Sequence, residues 1–162
     1  MRNTSLLRRA AALGCAALLT FGLAACGEKE EPQTETRLYR DGTYTAQFDT
    51  AGADGYTTYA VVEIASDKVS VTEFDGKNAS GTLRSADTEL ADSMKEGASE
   101  YLTFEPTPAN LSKKAMEDFA AAGGDPDSMA LTAGGPEYGL ELAALVDAVL
   151  DGPAKADSES ES

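Results

Sequence analysis

Three runs in the first half of the chain carry the alternation of apolar and polar positions that is typical of strands. Residues 43–48 (TYTAQF), 57–65 (TTYAVVEIA) and 68–74 (KVSVTEF) are rich in β-branched and aromatic residues, which favour strands. Only Ser66-Asp67 separates the last two runs, and this spacing predicts a tight hairpin. A Gly-rich loop, residues 51–56, joins the first two runs. The pattern predicts an antiparallel meander of three or more strands.

Helical periodicity dominates the second half. Residues 86–101, 110–122 and 137–150 repeat apolar side chains at helical spacing, which predicts amphipathic helices. The apolar positions are Leu90, Met94, Ala98 and Tyr101 in the first helix, Leu111, Ala115, Met116 and Phe119 in the second, and Leu140, Ala143, Leu145, Ala148 and Leu150 in the third. Strands followed by helices predict an α+β domain over residues 38–151, with a small antiparallel sheet packed against about three helices.

The N-terminus has the pattern of a secretory signal. Arg2, Arg8 and Arg9 precede an uncharged apolar segment, residues 10–23, that is too short to span a bilayer comfortably. The Leu-Ala-Ala-Cys tetrad that ends at Cys26 resembles the lipobox of bacterial lipoproteins. The resemblance implies a signal peptide at residues 1–25, cleavage before Cys26 and a diacylglyceryl group on its thiol. An ordinary secretory signal and an uncleaved N-terminal anchor are the alternatives.

Lipid on Cys26 would hold the mature chain at the extracytoplasmic face of the cell membrane, because two acyl chains anchor a protein stably. Residues 26–37 are polar, acidic and contain a proline, so we expect a flexible tether there. Residues 152–162 (GPAKADSESES) are poor in hydrophobic side chains, so we expect a disordered acidic tail.

The charge of the chain excludes several classes of partner. The formal net charge is −15, from 13 basic and 28 acidic residues. Removal of the three signal-peptide arginines leaves 10 basic and 28 acidic residues, a net charge of −18. Such a charge argues against nucleic acid as a partner and against attraction to anionic lipid headgroups.

The chain has no histidine, which excludes a histidine-based serine triad and removes the commonest metal ligand. We therefore predict no catalytic residues and no enzyme activity. A hydrolase that uses paired carboxylates is the remaining alternative, although no pair is distinguished by its spacing. Asp125, Asp127 and Glu137 carry the oxygen ligands that calcium requires, but their spacing matches no known calcium loop. A solvated acidic loop is the favoured interpretation, and we predict no metal site.

A longer pattern resembles a protein family. The sequence Tyr39-x-Asp41-Gly42-Thr43-Tyr44 is followed by the hairpin, then by residues 73–78 (Glu-Phe-Asp-x-Lys-Asn), and then by Gly81, Ser85 and Asp87. This order resembles the FMN-binding-domain lipoproteins, including those called major membrane immunogens. The resemblance covers residues 39–150 and implies the fold of that family. It also implies a lipid anchor and a role in electron transfer with membrane redox proteins.

The resemblance also implies where a flavin would bind. The family's flavin motif corresponds here to residues 129–135, directly before Pro136. Gly135 occupies the position of the threonine whose hydroxyl carries covalent FMN in that family. Because glycine has no oxygen to esterify, we expect no covalent flavin. The expected non-covalent FMN site consists of Thr132, Ala133, Gly134, Gly135 and Tyr138.

In that site, backbone amides at a helix start would hold the phosphate, and Tyr138 or Tyr56 would stack on the ring. The alternative is that residues 132–135 form only a turn before a helix that Pro136 begins. Two functions follow. In the first, the chain binds FMN non-covalently and takes part in electron transfer. In the second, it is a degenerate family member that serves as a cofactor-free surface binding or structural module.

Overall fold

The computed structural model describes residues 37–100, 102–130 and 136–156. Its three strands form one antiparallel sheet in the order β1-β2-β3, and three helices follow in sequence. The predicted α+β fold, a three-stranded meander with three helices, is confirmed. The elements are β1 (Gly42–Gln47), β2 (Thr57–Ala65), β3 (Lys68–Lys77), α1 (Thr88–Glu96), α2 (Pro108–Ala121) and α3 (Pro136–Asp151).

The hairpin between β2 and β3 turns on Ser66 and Asp67, whose φ angles are 51° and 60°. Two positive φ angles suit a mirror-image turn, which matches the right-handed twist of the paired strands. Asp67 also accepts hydrogen bonds from the backbone amides of Leu38 and Tyr39, both at 3.0 Å. The predicted hairpin is thus confirmed, and it also fixes the segment that enters β1.

A β-bulge in β3 decides which side chains face the helices. Val61 pairs with Glu73 and Val62 pairs with Val71, so Thr72 is the extra residue. Because one inserted residue reverses the alternation of faces, both Val71 and Phe74 pack on the helix side. The same shift places Glu73, opposite Val61, on the other face of the sheet.

The helices α2 and α3 lie where the periodicity predicts them. The first helix differs, because it begins after an Asp87 cap and ends at Glu96, before Gly97. Its predicted apolar positions Leu90 and Met94 do lie on the less exposed side of α1, and Met94 packs against the core, but no residue of this helix is fully buried. Tyr101 lies outside the described residues. Two short 3₁₀ turns were not predicted, Arg84–Ala86 and Pro126–Ser128.

The core lies between one face of the sheet and the helices α2 and α3. Its largest contributions are Ala60, Val62, Ile64 and Phe74 from the sheet, Leu111, Ala115 and Phe119 from α2, and Leu142, Leu145, Val146 and Val149 from α3. In α3 the predicted stripe was partly wrong. Leu140 is 58% exposed, whereas Leu142 is fully buried. The buried face follows the spacing of residues 138, 142, 145, 146 and 149, and the many apolar residues of this helix obscured that spacing in the sequence.

The chain stays ordered beyond the predicted boundary at residue 151. Ala154 is fully buried, and its carbonyl accepts a hydrogen bond from the Arg40 amide at 2.8 Å. The Ala156 amide donates to the Leu38 carbonyl at 3.2 Å. Residues 152–156 therefore belong to the domain, because they pair with the segment before β1. This corrects the expected start of the tail.

The predicted signal peptide (residues 1–25), Cys26 and the tether up to residue 36 lie outside the described residues, as do residues 157–162. In the part of the chain that the structure describes, no helix combines the length and the apolar composition that crossing a bilayer requires.

Candidate functional site

Of the five residues expected to bind flavin, the structure describes one. Thr132, Ala133, Gly134 and Gly135 lie outside the described residues. Tyr138 lies near the start of α3 and is only 8% exposed. Tyr56, the other expected stacking residue, is 5% exposed, and its hydroxyl donates to Asp87 at 2.6 Å.

The ring of Tyr138 is enclosed by neighbouring side chains. The guanidinium carbon of Arg84 lies 4.3 Å from the ring centre, and Phe74 meets the ring edge-to-face at 6.3 Å. Burial raises the pKa of Tyr138 to about 12, although the Arg84 charge opposes part of this rise. A flavin could stack on the covered face only after Arg84 moved. The arrangement therefore does not support the expected role of Tyr138 as a stacking platform.

Arg84 is a buried cation between two carboxylates. Its side chain is 2% exposed, and Nη1 lies 3.4 Å from both Asp54 Oδ2 and Glu141 Oε2. One arginine faces two acids, so the local charge does not favour an added phosphate. Among the described residues Arg84 Nε has no hydrogen-bond partner, and it packs so closely on Gly76 that a Cβ there would lie 3.2 Å away. Gly76 lies within β3, and a glycine inside a strand indicates that another group approaches the backbone closely. This was the signal for the contact in the sequence.

The residues that carried the family resemblance hold the turn that positions Arg84. The buried carboxylate of Asp75 accepts hydrogen bonds from the Ser85 amide at 3.0 Å, the Ser85 hydroxyl and the Gly76 amide. Asn78 Oδ1 accepts from the amides of Ser80 and Thr82. In this structure these side chains stabilise local backbone, and they place Arg84 under α3.

The acidic loop after α2 is also explained by local structure. Asp125 caps the 3₁₀ turn, because its carboxylate accepts from the Asp127 amide at 3.2 Å and from the Ser128 hydroxyl at 2.8 Å. Within the described ranges no three acidic or cysteine side chains gather in a way that could hold a metal ion.

A groove of about 480 Å³ crosses the face of the sheet opposite the helices. We call it the outer groove. It is lined by Thr45 and Gln47 of β1, by Thr57, Tyr59 and Val61 of β2, by Glu73 and Lys77 of β3, and by Asn78. No local sequence pattern reveals the groove, because the strand register and the bulge at Thr72 bring these side chains together.

Three side chains give the outer groove its chemical character. Tyr59, 7% exposed, donates a hydrogen bond from its hydroxyl to Glu73. The ammonium of Lys77 lies over the Tyr59 ring, 4.9 Å from its centre. Burial raises the pKa of Tyr59 well above its ordinary value, and the Glu73 carboxylate adds to the rise. The groove therefore contains an aromatic face with a cation upon it and a carboxylate beside it.

Comparison with known proteins identifies the fold but no activity. No family model matches the chain, and no curated protein matches it. The structure is similar to that of the CPE2226 protein from Clostridium perfringens, with a TM-score of 0.56 and 18% sequence identity over 70% of this chain and 87% of that one. A solution structure from Clostridium thermocellum gives a TM-score of 0.44 and 19% identity over 69% of this chain and 90% of that one. At this identity the first likeness shows the α+β fold alone.

Proposed function

We propose that this chain is a lipid-anchored extracytoplasmic binding protein that holds a small ligand in its outer groove. Lipid on Cys26 would keep the domain at the membrane surface. The observation that carries the proposal is the groove itself. Its volume of about 480 Å³ falls in the range of roughly 300–1,000 Å³ that is usual for small-molecule sites.

The chemistry of the outer groove supports binding rather than structural packing alone. Hydroxyl, amide, carboxylate and ammonium groups from three strands converge on it, with Tyr59 and Val61 as the apolar floor. Sites for small ligands combine an apolar surface with a few placed polar groups.

A blocking variant tests this proposal without knowledge of the ligand. Val61→Trp would fill the groove, and Ser70→Trp, at an exposed position of β3 outside the groove lining, is the matched control. Each lipidated protein in detergent is dialysed against the low-molecular-weight fraction of a cell-envelope extract, and retained compounds are identified by mass spectrometry. We expect a compound that the unaltered protein and Ser70→Trp retain and Val61→Trp does not. Identical retention by all three would overturn the proposal.

The anchor has its own test. The lipidated chain should have an intact mass that shows cleavage before Cys26 and an added diacylglyceryl group, and it should sediment with membranes. Cys26→Ala should lose both properties. A Cys26→Ala chain that stays in the membrane fraction would favour an uncleaved N-terminal anchor.

Reversible FMN binding is the second candidate, with the chain acting in electron transfer with membrane redox proteins. One observation favours it: α3 begins at Pro136, directly after residues 132–135, where the resemblance implies the flavin site. Free amides at a helix start suit a phosphate. Calorimetry with added FMN tests it, together with the visible spectrum of the purified protein. FMN binding that Val61→Trp retains would support a flavin site near α3. Absence of FMN binding to the unaltered protein would rule out this candidate.

A further inference from the structure

We propose that the ligand of the outer groove is an organic cation of the polyamine type, which binds where the ammonium of Lys77 now lies. This inference rests on the proposed function and names the ligand class of the same groove. It follows from three properties of the groove: an acceptor with spare capacity, an aromatic face already covered by a cation, and the charge of the whole chain.

The acceptor is Glu73. Within the described ranges its carboxylate receives one side-chain hydrogen bond, from the Tyr59 hydroxyl, and the side chain is exposed. An ionised carboxylate has about four lone-pair positions on its two oxygens, so it retains capacity for an ammonium group. Hydrogen bonds between ionised partners are roughly twice as strong as neutral ones.

The aromatic face is that of Tyr59. The Lys77 ammonium lies 4.9 Å from its ring centre, which is within the distance of about 6 Å at which a cation is attracted to a ring. The chain therefore fills a cation position with its own side chain. Lys77 is exposed and has a long flexible stem, so it can leave the ring when a competing ammonium arrives.

The net charge of the chain favours a cationic ligand. The mature chain carries a net charge of −18, and such a field concentrates cations near the surface and repels anions. A polyamine also fits the remaining lining. Thr45, Thr57 and Gln47 offer oxygens to further N–H groups, and Val61 offers an apolar surface to the methylenes between them.

Calorimetry with spermidine tests the inference on the lipidated chain in detergent. Glu73→Gln keeps an acceptor for the Tyr59 hydroxyl and removes the charge, so we expect affinity to fall about tenfold. The control is Glu63→Gln, which removes the same charge from an exposed site of β2 outside the groove lining. Lys77→Met removes the competing cation, and we expect affinity to rise about threefold to tenfold. Its control is Lys68→Met, at the start of β3.

The possible results separate the inference from the proposed function. If Glu73→Gln and Glu63→Gln weaken the binding of spermidine equally, spermidine only screens the acidic surface. This result would overturn the inference. A loss of affinity in Lys77→Met would overturn it as well. Tight binding of glutarate that depends on Lys77 would show an anion site, so the inference would fall while the groove remained a binding site. If neither probe binds and Val61→Trp changes no retention, both proposals fail.

Discussion

The guanidinium group of Arg84 lies over the ring of Tyr138, 4.3 Å from its centre, and this contact joins the turn after β3 to the first part of α3. Asp54 and Glu141 flank the same guanidinium at 3.4 Å. The cluster covers one face of Tyr138, the one described residue of the expected flavin site, with a charge and a packing that do not favour a flavin on that face. For this reason the outer groove, on the opposite face of the sheet, is the better candidate for ligand binding.

Replacement of Arg84 should destabilise the domain strongly. Arg84→Met leaves two partly buried carboxylates without their cation, and removal of one partner of a buried ion pair costs about 3 kcal/mol. Urea unfolding at neutral pH measures the loss. Arg37→Met is the control, because it breaks an ion pair whose side chains are 48% and 45% exposed and should cost far less. Equal losses in the two variants would contradict the role assigned to Arg84.

The two glycines after α2 should differ in their tolerance of alanine. Gly123 and Gly124 have φ angles of +70° and +80°, and such angles cost a residue with a Cβ about 1–2 kcal/mol. At Gly123 nothing lies within 4 Å of an added Cβ, whereas at Gly124 the Cβ would overlap the carbonyl oxygen of Val69. Thermal unfolding should show that Gly124→Ala loses clearly more stability than Gly123→Ala, by about 1–3 kcal/mol. A reversed order would be inconsistent with the loop packing on β3.

Asp87 should make the stability of the domain depend on pH in the acidic range. The Leu90 amide, and after it the Tyr56 hydroxyl, hold the pKa of Asp87 below its ordinary value of 3.8. A lowered pKa in the folded state stabilises the fold above pH 3.8, and this stabilisation is lost as the pH falls through the folded value.

The measurement is the urea midpoint of Asp87→Ala at pH 7 and at pH 3. Asp92→Ala is the control, because it removes an exposed acid from the same helix. We expect the urea midpoint of Asp87→Ala to lie well below that of the unaltered protein at pH 7. The difference between the two midpoints should be smaller at pH 3. A gap of constant size would show that the ionised carboxylate does not cap α1.

Two buried tyrosines should make the fold sensitive to alkali. The pKa of Tyr138 is raised to about 12, and that of Tyr59 is raised too, from a value of 10.0 for an exposed tyrosine. A raised pKa stabilises the folded state below pH 10, and this stabilisation is lost as the pH rises toward the folded value. Ultraviolet titration should therefore show late tyrosinate formation. Tyr138→Phe should remove one late step, and an unchanged titration curve would contradict the burial of this hydroxyl.

The strands and two of the helices could be predicted from the sequence because their signals are local. The run of β-branched residues in β2 and the two-residue connection at Ser66-Asp67 depend on neighbours in the chain, and both predictions are confirmed. The first helix was predicted too long. Ala98 and Tyr101 continue the helical spacing of the apolar residues in the sequence, but the helix ends at Glu96, before Gly97. The ordered segment at residues 152–156 depends on pairing with residues 38–40, and no local pattern reveals it.

The candidate site was less predictable, because it depends on contacts between distant residues. Nothing in the residues around Arg84 indicates that a charged side chain is buried there between Asp54 and Glu141. The outer groove requires the strand register and the extra residue Thr72 in β3, which together place Glu73 beside Tyr59. The prediction of a flavin at residues 132–135 came from the family resemblance, and it remains a prediction.

The most direct test of this account is a map of where spermidine binds, from amide chemical shifts of the isotope-labelled lipidated chain in detergent micelles. If spermidine binds in the outer groove, the shifts should be confined to that groove, should be largest at Thr45, Tyr59 and Val61, and should be lost in Val61→Trp. Shifts spread over the acidic surface, or gathered around Tyr138 at the start of α3, would contradict it.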